Sequence, residues 1–513
     1  MNLKIWLLAF MTCGCLATAV ITSANADELT GLDEFVKQVM EASGTPGVAV
    51  SVVRGDASLA RGYGMLEAGK NKPVDKDTLF AIGSNSKYFT ATVLGLLVEE
   101  GKLSWDEPLA SYLPQLRFSE PYLFTELTLR DALSHRSGLE RGDLAWYANP
   151  GISRDEVLAM IERLSLEQSF RSGFLYNNFM FLAAGQAIPA VTGQSWDEYL
   201  KQEIFEPLQM NRSNTSTHDL DRMENVATPH NLVDGKAMPI PWFNIDHIAP
   251  AGAINSSVSD MARWCRVQLG GGMLDDKQII PETVIAEVRK PHTLIPLSDE
   301  GHVRTLHGAY ALGIGRANYG PEQVAYFHTG GIDGMLSSFA FVPESKLCVV
   351  VLTNSTPNYG LNNSILTWVL DHELDLVDKD FVAKFKENLQ EQKEEEAEIR
   401  QQRIEAHDPS KQLSLLPEKY AGTYSNDIYG ELDIGYLNEE LRFAYGSLFR
   451  GRLTHHRNDS FDLEHDEAAR NDSEPTVLSF ALDANGDVES VLMQLLGEES
   501  IEIRFEAVPK ETE

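Results

Sequence analysis

Leu32, Phe35, Val36, Val39 and Met40 recur at helical spacing, which predicts an amphipathic helix near the start of the folded chain. The apolar run Gly47-Val48-Ala49-Val50-Ser51-Val52-Val53 predicts a buried strand, with a second strand ending near Tyr63. Val93, Leu94, Leu96 and Leu97 place a helix over residues 84–100. Ser338 to Leu352 reads as two strands joined by a turn at Pro343-Glu344-Ser345. Helical and strand periods alternate through residues 27–375, as in a mixed α/β (α+β) domain. Both ends of this block are expected to close one antiparallel sheet, and its middle to supply a helical lobe.

The pattern then changes twice. Residues 376–410 are a charged helical linker, in which Phe381, Phe385 and Leu389 form one narrow apolar stripe and Glu396 is spaced to pair with Arg400. It is expected to be solvated and without chemistry, and Asp408-Pro409-Ser410 ends it. Residues 411–513 alternate instead, through Leu432, Ile434 and Tyr436, then Leu441, Phe443 and Tyr445, then Ile501, Ile503 and Phe505. With a hairpin signal at Asn485-Gly486, this predicts a small carboxy-terminal all-β domain, an all-β barrel or else a sandwich. Asp483, Asn485 and Asp487 mimic the opening of a calcium loop, but the twelfth position is Gln494, so a plain turn is expected.

Charge narrows the function classes. The chain of 513 residues carries 43 basic and 76 acidic side chains, a formal charge of −33, and such a surface repels phosphate backbones and anionic lipid. No nucleic-acid partner is expected. The 13 histidines and 4 cysteines are too scattered for a metal scaffold. Residues 1–26 read as an export signal: Lys4, an apolar run from Ile5 to Leu16, then Ala24-Asn25-Ala26 as the cleavage site. A lipid anchor at Cys15 is the alternative, disfavoured by Thr12. No later apolar run is long enough to span a bilayer, so an exported protein, periplasmic or secreted, is expected. Cys265 and Cys348 remain after cleavage and are expected as two buried unpaired thiols rather than a disulfide.

Three segments carry chemistry. In Ser84-Asn85-Ser86-Lys87 a hydroxyl and an amine stand one helical turn apart at a helix start. A desolvated lysine can take the serine proton, and the helix start offers free N–H groups to an oxyanion. Tyr176-Asn177-Asn178 follows Phe170-Arg171-Ser172-Gly173 and precedes an apolar helix from Phe179 to Ile188. Tyr-x-Asn recurs at Tyr147, Tyr424 and Tyr436; the last two fall in the β domain, and Tyr147 remains a competitor. His328-Thr329-Gly330-Gly331 precedes a strand, where glycines allow a substrate backbone close approach.

In this order the three segments resemble the penicillin-recognising serine hydrolases: class C β-lactamases, related DD-peptidases, and the esterases and D-aminopeptidases of the same superfamily. The stretch Leu127-Thr128-Leu129-Arg130-Asp131-Ala132-Leu133-Ser134-His135-Arg136-Ser137-Gly138-Leu139 and the stretch Pro250 to Ser257 add to the resemblance, which covers about residues 30–370. It implies a β-lactamase/transpeptidase-like fold and a peptidase or esterase acting through an acyl-enzyme. Ser84 would be the nucleophile, Lys87 and Tyr176 would share the proton, and Asn178, His328, Thr329 and Gly330 would bind substrate. The N–H groups of Ser84 and Gly331 would form the oxyanion hole, with no cofactor and no metal. The family's β-lactamases have lysine where this chain has His328, so binding of a substrate carboxylate should be weaker, since histidine supplies that charge only partly. A true β-lactamase or D-Ala-D-Ala carboxypeptidase is the alternative activity, and a catalytically silent scaffold the alternative class. The barrel, opening near Tyr420-Ala421-Gly422-Thr423-Tyr424, resembles the lipocalin-like module of archaeal serine peptidases of this group, which implies a homo-oligomer built through that domain. The partner otherwise expected is a small-molecule or peptide substrate. No Gly-x-Ser-x-Gly elbow and no His-Glu-x-x-His is present, which argues against an α/β-hydrolase and a zinc hydrolase.

Overall fold

The computed structural model describes residues 29–233, 235–295, 308–320, 323–377, 379–470, 476–495 and 501–509, so residues 1–26, read above as an expected export signal and including Cys13 and Cys15, lie outside them. The elements that position the site are, in chain order, α1 (Leu32–Ser43), β1 (Gly47–Arg54), β2 (Ala57–Gly64), α2 (Ser86–Glu99), α3 (Asn178–Thr192) and α4 (Val258–Leu269). They continue with β3 (Thr293–Ile295), β4 (Gly308–Tyr310), β5 (Gly315–Tyr319), β6 (Gln323–Ile332), β7 (Met335–Val342), β8 (Leu347–Thr353), α5 (Leu361–Glu373) and α6 (Phe381–Ala406). One antiparallel eight-stranded sheet runs β2-β1-β8-β7-β6-β5-β4-β3, so both ends of the domain meet in it, β1 lying between β2 and β8.

The central strands are apolar on both faces because both are covered. All seven residues of β8, LCVVVLT, are buried. On one face Val53, Phe341, Cys348 and Val350 pack with α2, α3 and α4 of the helical lobe. On the other, Val50, Val52, Val349 and Val351 pack with α1, α5 and the start of α6.

Two expectations need correction. The helix α6 is not simply a solvated linker: Phe381, Phe385 and Leu389 are buried, and Phe381 meets Phe35 of α1 edge-on at 6.1 Å. The stripe is narrow but continuous at i, i+4, i+8, enough to dock one face of a helix. The two thiols are also not free: α4 lies across β1 and β8, brings Cys265 against Cys348, and the two form a disulfide with a Cα–Cα distance of 5.8 Å. They are separated by 83 residues, so no local pattern could announce the pairing.

Beyond α6 come eight strands closed into a barrel: β9 (Gly422–Asn426), β10 (Gly430–Leu437), β11 (Glu440–Tyr445), β12 (Phe449–Arg457), β13 (Ser460–His465), β14 (Val477–Leu482), β15 (Val488–Leu495) and β16 (Ile501–Ala507). Leu432, Ile434, Leu441, Phe443, Tyr445, Ile503 and Phe505 fill it, while Tyr436, near the end of its strand, is 37% exposed. Asp483 accepts the backbone N–H groups of Asn485 and Asp487, closing the turn between β14 and β15. No helix among the described residues is long and apolar enough to cross a membrane.

Candidate active site

A single 3-10 turn, Gly83–Asn85, leads into α2. The start of that helix is pinned by segment 249–254: Thr90 donates to the carbonyl of Pro250 at 2.7 Å, and Ser86 accepts the N–H of Ile254 at 3.1 Å. This packing buries Lys87 completely. Its Nζ donates to Ser84 Oγ at 3.0 Å and to the carbonyl of Ala251 at 2.7 Å, and lies 4.7 Å from the centre of the Tyr176 ring. Burial holds the amine well below its ordinary pKa; Asp143 opposes this and Arg141 adds to it. This lowering raises the uncharged fraction of the amine, the form that has a lone pair for the serine proton.

The Tyr176 hydroxyl bonds the same Ser84 side chain, while burial lifts the phenol well above its ordinary pKa. Tyr176 is held from both sides by His135. The N–H of Leu175 donates to the His135 carbonyl at 2.8 Å, the N–H of Asn177 donates to its Nδ1 at 3.0 Å, and the two rings lie 4.2 Å apart. Asn177 caps α3 through Met180 N–H at 3.0 Å, which turns Asn178 toward the site. The Asn178 amide NH2 donates to both oxygens of Asp143, at 3.0 and 2.9 Å, so its own carbonyl is the end left for a substrate N–H. Asp143 also accepts from Arg141 at 2.7 Å and from Trp146 at 3.0 Å, and the Arg141 guanidinium stands 5.4 Å from the Tyr176 ring centre. Tyr147 is turned elsewhere: its hydroxyl bonds the carboxylate of Asp333 and its ring packs on Phe243 at 4.6 Å.

Strand β6 carries the third segment. His328 is buried; its Nδ1–H donates to the carbonyl of Thr329, and its Nε2 accepts the Tyr310 hydroxyl at 2.7 Å. Burial, and after it the Lys87 amine, pulls its pKa down to about 3. The partial charge expected of this histidine is therefore absent at working pH, because an aromatic pocket fixes one neutral tautomer. Thr329 is exposed beside it and Gly330 is buried. A Cβ on Gly330 would stand 1.9 Å from the carbonyl oxygen of Ile82, and one on Gly83, at a φ of +51°, would stand 2.7 Å from the nitrogen of Gly331. Glycine at both places lets β6 lie against the turn of Ser84 and brings the Gly331 N–H beside it. Ser337 of β7 stitches the two together, donating to Ile82 O and accepting from Asn85 Nδ2, each at 2.7 Å.

The structure thus gathers Ser84, Lys87, Tyr176, Asn178, His328, Thr329, Gly330 and Gly331 in one place. Sequence reasoning gave no role to the Ala251 carbonyl, although Ala251 lies in the stretch Pro250 to Ser257, and missed the Arg141–Asp143 pair and Tyr310, which lie outside the stretches it singled out. Among the described residues one group of three possible metal ligands occurs, His407, His456 and Asp462; it lies on α6 and the barrel, and Arg403 already bonds Asp462 at 2.7 Å, so it is an ion-pair network.

Comparison with known proteins gives the family and the fold. The family described as Beta-lactamase matches residues 32–372, and a domain of unknown function, DUF3471, matches residues 403–508. An unguisins hydrolase of Aspergillus campestris is 28% identical over 428 residues, covering 80% of this chain and 78% of that protein. The octameric penicillin-binding protein homologue from Pyrococcus abyssi superimposes with a TM-score of 0.61 at 20% identity, over 92% of this chain and 98% of that one. The D-amino acid amidase from Ochrobactrum anthropi SV3 does so with a TM-score of 0.56 at 23% identity, over 68% and 98%.

Proposed function

The chain belongs to the beta-lactamase family of serine hydrolases, and on that footing we propose that it cleaves amide or ester bonds through an acyl-enzyme on Ser84. One observation carries this: Lys87 Nζ stands 3.0 Å from Ser84 Oγ while the Tyr176 hydroxyl bonds the same side chain. Uncharged Lys87 takes the serine proton as Oγ attacks the carbonyl carbon. The oxyanion forms between the N–H groups of Ser84 and Gly331. Tyr176, kept as a phenol, gives its proton to the departing nitrogen or oxygen, and the proton held by Lys87 then restores the phenol. Water attacks the acyl carbon, its proton follows the same route, and Ser84 is regenerated. Asn178 accepts a substrate N–H through its carbonyl.

The neutral state of His328 supports a substrate without a free carboxylate at this position, and so an amidase, peptidase or esterase over a β-lactamase or D-Ala-D-Ala carboxypeptidase. The unguisins hydrolase supports hydrolysis, and the D-amino acid amidase of similar fold supports an amide as the bond cleaved. A fluorophosphonate probe should label the wild type and not Ser84→Ala. Equal labelling of both, or no labelling and no turnover across an ester, amide and β-lactam panel, would refute the proposal, the second result being that of a silent scaffold. Nitrocefin turnover matching that of the best amide would favour the β-lactamase reading.

Export and assembly belong to the same proposal. The composition of residues 1–26 and the Cys265–Cys348 bond support an oxidising compartment outside the cytoplasm. Amino-terminal sequencing of the native protein should begin at Asp27; an intact Met1 in the cytosol would overturn this. The octameric archaeal homologue supports a homo-oligomer built through the barrel, and a monomer of the full chain by light scattering would refute it.

A further inference from the structure

The N–H of Gly331 is two residues from the tip of the β6–β7 hairpin, whose register pairs Ile332 with Met335 and leaves Asp333-Gly334 as the turn. Both turn residues are tied to one short segment of the barrel, the 3-10 turn Ala468–Arg470. Asp333 accepts the Tyr147 hydroxyl on one oxygen, and on the other meets the Arg470 guanidinium at 3.5 Å. The second route is a relay. The Gly334 N–H donates to Thr356 Oγ1 at 3.1 Å, Thr356 donates to Asn231 Oδ1 at 2.9 Å, and Asn231 Nδ2 donates to the carbonyl of Ala469 at 2.7 Å. Arg470 is itself held, by Glu467 at 2.6 Å and over the ring of Phe449 at 5.7 Å, and Phe449 stacks on Tyr147 at 5.9 Å.

We propose that the barrel turn Ala468–Arg470 positions the oxyanion strand of the hydrolase domain, with Arg470 and Asn231 as positioning residues that act through Asp333 and Gly334. This deepens the acyl-enzyme reading and rests on it. An N–H donor serves an oxyanion only within a few tenths of an ångström of its place, and beyond the ladder with β7 and a His230 N–H on the Gly334 carbonyl at 3.3 Å the turn is held by these contacts with the barrel. Two converging routes from a separate domain supply that restraint, and they give the domain matched as DUF3471 a part in catalysis without touching substrate.

The test uses the full chain with a chromogenic ester and a boronate, whose adduct with serine places an oxygen where the oxyanion forms. In Arg470→Gln and in Asn231→Ala, kcat should fall about 10- to 100-fold with KM within about threefold, and boronate affinity should fall in step with kcat/KM. Introducing Arg470→Gln into Asp333→Asn should cost little more than Asp333→Asn alone. Melting temperature and circular dichroism are followed in each variant. Wild-type kcat and boronate affinity in both single variants would overturn the inference, as would additivity of Arg470→Gln with Asp333→Asn, or a loss of active sites that only follows a fall in melting temperature. A wild type that forms no boronate or fluorophosphonate adduct on Ser84 would instead sink the acyl-enzyme reading, and this inference with it.

Discussion

Lys87 and Tyr176 are driven by burial in opposite senses, the amine toward losing its proton and the phenol toward keeping it. That separation assigns their roles: the lysine accepts and the tyrosine donates. Activity should accordingly rise with pH through the lowered lysine pKa, because protonated Lys87 has no lone pair, and should not depend on forming phenolate. Tyr176→Phe separates the roles further. It should lower kcat for an amide about 10²- to 10⁴-fold but far less for a nitrophenyl ester, whose leaving group departs without a proton. Parallel steady-state kinetics on the two substrates would show it, and equal losses would remove Tyr176 from the donor role. At this scale the serine and lysine were legible from their one-turn spacing only when it was read together with the other two segments in order. Tyr176 was legible only by context against Tyr147. The Ala251 carbonyl and Asp143 were not, because a backbone oxygen has no residue signature and an Arg-Gly-Asp loop reads as ordinary surface.

Strand β6 and the turn before α2 are built to touch, and the touching depends on Gly330. Gly330→Ala would place its Cβ 1.9 Å from Ile82 O, against backbone that cannot swing aside. The expected result is a loss of about 100-fold or more in kcat/KM with the barrel and outer sheet intact, read by kinetics beside circular dichroism. Near wild-type activity would show that the strand need not lie so close. Elements with strong periods were legible: β1, α2, β7 and β8 lie where alternation or helical spacing put them. What escaped depended on partners distant in the chain. The stripe of α6 has no visible receiver until α1 and α5 assemble beside it, and Cys265 meets Cys348 only because a helix crosses a sheet.

The hydrolase domain as a whole carries a sensitivity to acid. His135 and His328 are buried and held neutral, and His247 and His292 are pulled down to about 4, burial being the first cause in each. In the unfolded chain these four would protonate near pH 6.5. Between that value and their folded pKa values the unfolded state binds more protons, so stability should fall as pH drops below about 6.5, by about 1.4 kcal/mol per unit for each group. Unfolding calorimetry at pH 5 in buffers of different ionisation enthalpy should show net proton uptake that falls when His247 and His328 are each replaced by Gln; no change in those variants would mean that these sites accept charge in the folded state. The barrel has a different consequence. Since β9 pairs with β16, each strand of the barrel has a hydrogen-bonded neighbour on both sides among the described residues. If subunits join through this domain as proposed, closure favours matching by the shape and chemistry of its outer side chains and loops over addition of strand to strand.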